Sequence, residues 1–370
     1  MIELADIFRA YGPAYRAKFN GKIPPQHLRT MRAIERCRTP ALGGHVYTCP
    51  DCHETLYRYH SCRNRHCPKC QHENAQRWLE QQYEWQLPVP YFMLTFTLPS
   101  QLRPVARSHQ KLVYDALFRA SADAAQQLAR DPRFVGGTLG LVGVLHTWAR
   151  DLSYHPHVHY LVPAGGLADD GQTWLPARKN FLLPVQALSK LFRAKFCDAL
   201  RKTDDFANIP ASVWEQDWVV HCNPVGDGRT ALKYLAPYIF RVALCNRRII
   251  KVENDQVTFR YTTNAGLTKF CTLPAERFIH RFLQHVLPKS FVKVRYYGLF
   301  SPAHRQKPEP LRAQLAAQST DTPTSIPVAN ASTSSETPLT STGNRTVRCP
   351  ACGHVMQHQA TLPPLGRAPP

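Results

Sequence analysis

Cysteine placement constrains this chain more than any other feature of its sequence. Five of its twelve cysteines fall within CPDCHETLYRYHSCRNRHCPKC, namely Cys49, Cys52, Cys62, Cys67 and Cys70. They make two Cys-x-x-Cys pairs with fourteen residues between them, and Cys62 stands as a fifth thiol. A Cys-x-x-Cys turn aims two thiolates at one point, and two such turns complete the tetrahedron that zinc prefers. The expectation is one closed zinc site held by Cys49, Cys52, Cys67 and Cys70. Four thiolates leave no coordination position open, so the ion is structural, contributing about 10–16 kcal/mol of apparent binding energy to folding. His45, His60 and His66 lie near these thiols in sequence as candidates for a second metal. Another pair, Cys349 and Cys352 in CPACGHVMQH, forms a candidate second zinc knuckle with His354 and His358 as further donors. Cys197, Cys222, Cys245 and Cys271 are scattered and read as buried small apolar residues.

A disulfide framework is the other use of so many cysteines, but it belongs to small secreted chains. The N-terminal MIELADIFRAYG is acidic and mixed, without the basic-then-apolar plan of a signal peptide. A reducing, cytoplasmic setting is therefore expected. Lys and Arg number 46 against 26 Asp and Glu, a formal charge of +20. Such an excess is the footprint of a polyanion partner, and nucleic acid is the usual one. An anionic membrane is the rival, but no basic amphipathic helix stands apart and no apolar run approaches the ~18 residues of a membrane span. Arg63, Arg65 and Lys69, set among the thiols, are expected to contact DNA phosphates.

Composition divides the chain into residues 1–86, rich in Cys, His and Arg, residues 87–305, and residues 306–370. The last begins with a Ser/Thr/Pro-rich stretch that cannot offset chain entropy by burial, so a disordered tail is expected, with the candidate knuckle at 349–358. In the middle region, β-branched and aromatic runs predict strands at 91–98, 141–148, 157–162, 217–222, 248–252, 257–261 and 291–299. Three- and four-residue apolar spacing predicts helices at 102–130, 184–202, 229–244 and 274–287. Strands and helices do not alternate strictly, which argues against a doubly wound parallel sheet. The expected class is α+β, a mainly antiparallel sheet with helices on one face, preceded by a small zinc-binding domain.

Histidines form the second constellation. His157 and His159 in YHPHVHYLVP point to the same face of a strand, because side chains alternate along it. His146, in LVGVLHTW, lies eleven residues upstream, a distance suited to a neighbouring antiparallel strand. Three imidazoles with open positions could hold a Lewis-acid metal, with His155 and His221 as reserve ligands. In KYLAPYIFR, Tyr234 and Tyr238 stand at i and i+4, one face of a helix, although Pro237 between them threatens a kink.

Together these motifs resemble a known family. HVH at 157–159 is similar to the His-hydrophobic-His motif of single-strand DNA nucleases, and YLAPY to the paired-tyrosine motif of their two-tyrosine class. The cysteine segment resembles the N-terminal zinc-binding domain of IS91-type rolling-circle transposases. So do VPYFMLTFTLP, HPHVHYLVPAGGL, YLAPYIFRVALCNRRI and FLQHVLPKSFVKVRYYGLFSP. The resemblance spans roughly residues 20–305. It implies that Tyr234 and Tyr238 are catalytic and that the histidines hold magnesium or manganese. It further implies nicking and rejoining of single-stranded DNA through 5′-phosphotyrosine, without a nucleotide cofactor. Arg247, Arg248, Lys293 and Arg295 would line the strand channel in a nucleoid-associated bacterial protein. Two other readings carry the same cysteines and charge: a non-catalytic zinc-dependent DNA-binding regulator, and a plasmid replication initiator using the same chemistry.

Overall fold

A computed structural model describes residues 2–70, 78–83, 85–201, 203–230, 232, 243–263, 265–304, 308–318 and 346–365. The chain opens with two helices, α1 (Leu4–Lys18) and α2 (Pro25–Arg36). Glu3 and Asp6 close α1 with a reciprocal capping box, which satisfies orphan backbone donors of its first turn. A two-stranded ribbon follows, β1 (Gly44–Thr48) against β2 (Thr55–Tyr59).

The middle of the chain supplies β3 (Pro90–Thr97), helix α3 (Gln110–Ala129), β4 (Gly140–Trp148) and β5 (Tyr154–Pro163). A small hairpin, β6 (Gly165–Leu167) and β7 (Trp174–Pro176), precedes helix α4 (Val185–Leu200) and β8 (Val220–Asp227). The helix expected at 102–130 is broken at His109 into Arg103–Ser108 and α3. Three further strands, β9 (Ile249–Glu253), β10 (Gln256–Thr262) and β11 (Thr268–Pro274), form an antiparallel sheet that runs into helix α5 (Ala275–Leu283). Then come β12 (Val294–Gly298), helix α6 (Pro308–Gln318) and β13 (Gln357–Leu362).

The central sheet has the order β12-β4-β5-β3-β8, and every pairing is antiparallel. Its strands alternate strictly. Phe92, Leu94, Phe96, Val158, Tyr160 and Val162 face α3 and α4, whose Leu117, Phe118, Phe192 and Phe196 close the main core. On the opposite face, Met93, Val142, Val144 and Leu161 pack with Leu311 and Leu315 of α6. The class is α+β as expected, and α6 shows that the second face is partly covered too.

The N-terminal helices do not stand alone. Phe8 of α1 meets Phe282 of α5 edge-on at 5.5 Å, within a core shared by Ile7, Met31, Val257, Phe259 and Phe278. Burying each of these side chains stabilises the shared core by about 1.5–3 kcal/mol. The C-terminal segment also returns to the start of the chain. β13 pairs with β1 to make a three-stranded sheet of order β13-β1-β2. Residues 346–365 are therefore an ordered part of the N-terminal unit, while most of the Ser/Thr/Pro-rich stretch (319–345) lies outside the described residues.

Candidate metal centres and catalytic cleft

Antiparallel register brings the three histidines together. His146 on β4 is the direct cross-strand partner of His157 on β5. His159 stands opposite Val144 on one side and Thr95 on the other. All three side chains lie on the sheet face opposite α3, and one ligating nitrogen from each comes within 4.8 Å of the others. His157 donates its Nδ1 hydrogen to the His155 carbonyl at 2.7 Å, which leaves the Nε2 lone pair for a cation. His159 Nδ1 hydrogen-bonds Thr95 Oγ1 at 2.8 Å and is oriented in the same manner. Trp148 stacks on the His146 ring with 5.1 Å between centroids. His155 is already engaged, accepting at Nδ1 from Arg103 Nη2 at 3.1 Å. His221, directly across β3 from Thr95, is exposed.

Burial, then the neighbouring His159, pushes His157 well below the usual imidazole range. Burial, then His221, lowers His159 to about 4. Both rings are thus neutral at physiological pH, the form that ligates a metal. The histidines open into a cleft whose other wall includes Arg248, Arg260, Tyr261, Thr262 and Ala243. Arg150 lines it too, donating from Nη1 to the carbonyls of Thr262 at 2.6 Å and Thr263 at 2.8 Å. Asp151 is the acid lining this cleft, and its Oδ1 is taken up by the Ser153 backbone N–H at 3.0 Å and hydroxyl at 2.7 Å.

The basic residues expected at DNA fall into different environments. Arg248 reaches the cleft while donating to the Arg260 carbonyl at 2.8 Å and to the Arg150 carbonyl. Arg247 lies on the exposed turn Asn246–Arg248. Lys293 sits 4.8 Å over the Trp148 ring, and burial, then Arg65, lowers its ammonium to about 7. Arg295 is committed to the fold: it pairs with Asp115 and lies over the rings of Phe118 at 4.4 Å and Phe291 at 5.1 Å. Arg63 is exposed, whereas Arg65 donates to the Phe291 carbonyl at 2.7 Å and Lys69 pairs with Glu3 at 2.5 Å. Arg260 and Arg150 are cleft residues that the sequence reading missed, since nothing in their local sequence marks them.

The cysteines are partnered differently from the expected single site. Cys67 and Cys70 do not meet Cys49 and Cys52. They converge with Cys62 and with Cys37, the residue that ends α2, and the four sulfurs lie within 4.8 Å of one another. Cys70 Sγ is 3.5 Å from Cys37 Sγ and 3.6 Å from Cys62 Sγ. Four sulfurs this close, with no other donor among them, fit a tetrahedral zinc ion. Cys49 and Cys52 turn away along the β1–β2 ribbon towards Cys349 and Cys352. The physical reason is that Cys49 and Cys52 sit at the turn end of the β1–β2 ribbon, and β2 carries the chain away to the other end before Cys62, Cys67 and Cys70. His354 and His358 stand outside the four-thiol cluster, although His354 groups with Asp51 and Cys352 at the surface. His354 Nδ1 contacts Asp51 Oδ2 at 2.8 Å and His358 Nε2 lies 3.3 Å from His45 Nδ1.

These sites coincide with known sequence families. Residues 7–98 match the IS91 family described as "Transposase zinc-binding domain", and residues 140–308 match that described as "Putative transposase". The "Putative transposase y4qJ" of Sinorhizobium fredii is 38% identical over 371 residues, 95% of this chain and 92% of its own length. The chain belongs to the IS91-type transposases. The "Transposase for insertion sequence element IS801" of Pseudomonas savastanoi pv. phaseolicola is 28% identical over 300 residues, 76% of this chain and 72% of its own. No solved structure matches the transposase. As a transposase it works on DNA, in keeping with its charge, and among its described residues no helix is long and apolar enough to cross a membrane. Tyr234 and Tyr238 lie outside the described residues, and Ala243, just beyond them, lines the histidine cleft.

Proposed function

We propose that this transposase nicks and rejoins single-stranded DNA through 5′-phosphotyrosine intermediates, as the rolling-circle mode of transposition requires. The observation that carries the reading is the convergence of His146, His157 and His159 on one sheet face, inside a cleft lined by guanidinium groups. A regulator that only binds DNA has no need of three converging imidazoles at the floor of a basic cleft.

A divalent cation held by these imidazoles would polarise the scissile phosphate and offset charge on its oxygens. Imidazole donors fit manganese or a softer ion better than magnesium, which prefers oxygen ligands. The rest of the chemistry falls to the chain. Arg150, Arg248 and Arg260 draw the phosphate backbone into the cleft. The Tyr234 hydroxyl attacks phosphorus, its proton is lost, the P–O3′ bond breaks, and the 3′-hydroxyl leaves as the ester passes to tyrosine. No bond energy is dissipated, because one phosphodiester is exchanged for another. Tyr238 then serves the second strand while the first end remains held. The test is cleavage of single-stranded element ends with manganese, scored for a protein–DNA adduct on a denaturing gel. Absence of any adduct with every divalent ion tried, together with retained DNA binding, would favour the regulator.

A further inference from the structure

The Cys49 and Cys349 knuckles are near copies of one another, CPDCHE at 49–54 and CPACGH at 349–354. Their backbones match bond for bond. The Cys49 N–H donates to the Glu54 carbonyl at 2.9 Å, and the Cys349 N–H to the His354 carbonyl at 2.8 Å. The His53 N–H returns to the Cys49 carbonyl at 3.1 Å, and the Gly353 N–H to the Cys349 carbonyl at 3.0 Å. The fifth residue of each knuckle is left-handed, His53 at φ 58° and Gly353 at φ 78°. The two turns face each other, with Cys49 Sγ 3.4 Å from Cys352 Sγ and Cys52 Sγ 3.4 Å from Cys349 Sγ. All four sulfurs lie within 4.8 Å of one another. A zinc tetrahedron with Zn–S of about 2.3 Å sets sulfurs about 3.8 Å apart, close to this spacing.

We propose that Cys49, Cys52, Cys349 and Cys352 bind a structural zinc ion of their own, distinct from the Cys37, Cys62, Cys67, Cys70 site. This ion clasps the C-terminal segment onto the N-terminal zinc-binding domain. The match to that domain family stops at residue 98, so half of this ligand set comes from outside it. Besides the thiols, the segment is held by a short ladder, a small apolar cluster and surface polar contacts such as His354 with Asp51 and His358 with His45. Behind the thiols the apolar contacts are few: Val347, Cys349 and Met356 against Cys49, Tyr47 and Leu56. The β1–β13 ladder is five residue pairs long and carries a bulge between Val46 and Tyr47. A ribbon of this size lacks the core to fold by burial alone, and small domains of that kind depend on a metal. Cys52 and Cys352 are exposed, so the ion would sit at the surface, within reach of a chelator.

The experiment is elemental analysis of the purified full-length chain. With the histidine cleft emptied by His157→Ala and His159→Ala in every chain compared, two zinc ions per chain are expected. The double variant Cys349→Ser with Cys352→Ser should retain one, and Cys37→Ser with Cys62→Ser should also retain one. Because serine could unfold the ribbon rather than merely remove a ligand, Cys352→His provides a second arm and should keep two ions. A chain with its cysteines intact and one ion, or a Cys349/Cys352 variant that still holds two, would overturn the site. The clasp is tested separately by inserting a specific protease site between Gln318 and Val347 and cutting the full chain. The C-terminal piece should stay bound in native mass spectrometry and leave when Cys349 and Cys352 are serine. Equal retention in both would overturn the clasp.

Discussion

His157 and His155 are coupled through the backbone. The Nδ1–H of His157 donates to the His155 carbonyl at 2.7 Å, so one residue of the strand fixes the tautomer of the next inward-facing ring. This bond, with Thr95 on His159, fixes the orientation of two imidazoles on the cleft floor.

Replacing His157 and His159 together with alanine should abolish divalent-dependent cleavage while leaving single-strand DNA binding within about threefold. The rings sit at a cleft floor and not in the main core, so far-ultraviolet circular dichroism should be unchanged. Thr95→Val removes only the orienting hydroxyl. It should weaken metal dependence by about 10-fold, as loss of an outer-shell partner usually does. Full activity of the double variant would sink the metal assignment.

Cys37→Ser should be as damaging as Cys67→Ser, because both thiols are fully buried corners of one cluster. Loss of the ion takes its binding energy from the fold, and α1 and α2 share a core with α5, so the effect should spread beyond residues 1–86. Differential scanning fluorimetry on each variant checks this: a lowered first transition for Cys67→Ser alone would contradict the grouping.

Much of the central sheet was legible because its signals are local. β-Branched and aromatic runs at 91–98 and 141–148 give β3 and β4 nearly to the residue, and the alternation of side chains along a strand places His157 and His159 on one face. What was not legible is pairing over long separations. Two Cys-x-x-Cys turns close in sequence look like one site, yet the strand between them, β2, sets the pairs at opposite ends of the ribbon, each with a partner elsewhere. Cys37 stands alone in sequence and gives no local sign of its role. Arg295, by contrast, has the right charge for DNA but is spent on Asp115, which only the fold reveals.

The last point separates two arginines experimentally. Arg295→Ala should cost about 2–3 kcal/mol of stability, from a charge-assisted bond and two cation–ring contacts. Its effect on DNA affinity should be small. Arg260→Ala, on the exposed wall of the cleft, should leave stability unchanged. It should weaken DNA binding for all sequences and lower the salt slope by about 1. Urea unfolding and fluorescence anisotropy at several salt concentrations read the two effects independently.

Acid should destabilise the transposase over a defined window. Burial lowers His285 and His27 from 6.5 to about 4 in the folded state. The unfolded chain therefore binds more protons between these values, and stability falls as pH drops from about 6.5 towards 4. A group held as low as His285, which is buried and hydrogen-bonded to the Leu152 carbonyl at 3.2 Å, contributes on the order of 3 kcal/mol across that window. Urea midpoints at pH 7.5, 5.5 and 4.5 should decline, and His285→Gln should flatten the decline. A midpoint that rises on acidification would refute the assignment.

Tyr234 should be the first nucleophile and Tyr238 its partner in strand transfer. Free tyrosine has a pKa near 10 and attacks poorly at neutral pH, so the nucleophile must reach the phosphate beside the imidazole cluster. Ala243, which lines the cleft, follows Tyr238 by five residues in the chain. Pro237 immediately precedes Tyr238, and a kink there would disturb the second hydroxyl more than the first. Phenylalanine keeps the ring and removes only the attacking oxygen, which separates chemistry from packing. Tyr234→Phe should abolish the covalent 5′ adduct on an oligonucleotide with one cleavage site. Tyr238→Phe should retain adduct formation yet lose completed transposition. Mass spectrometry of the DNA-linked peptide decides the order. A linkage only at Tyr238 would reverse it, and a linkage at a tyrosine elsewhere in the chain would displace the active site from this cleft.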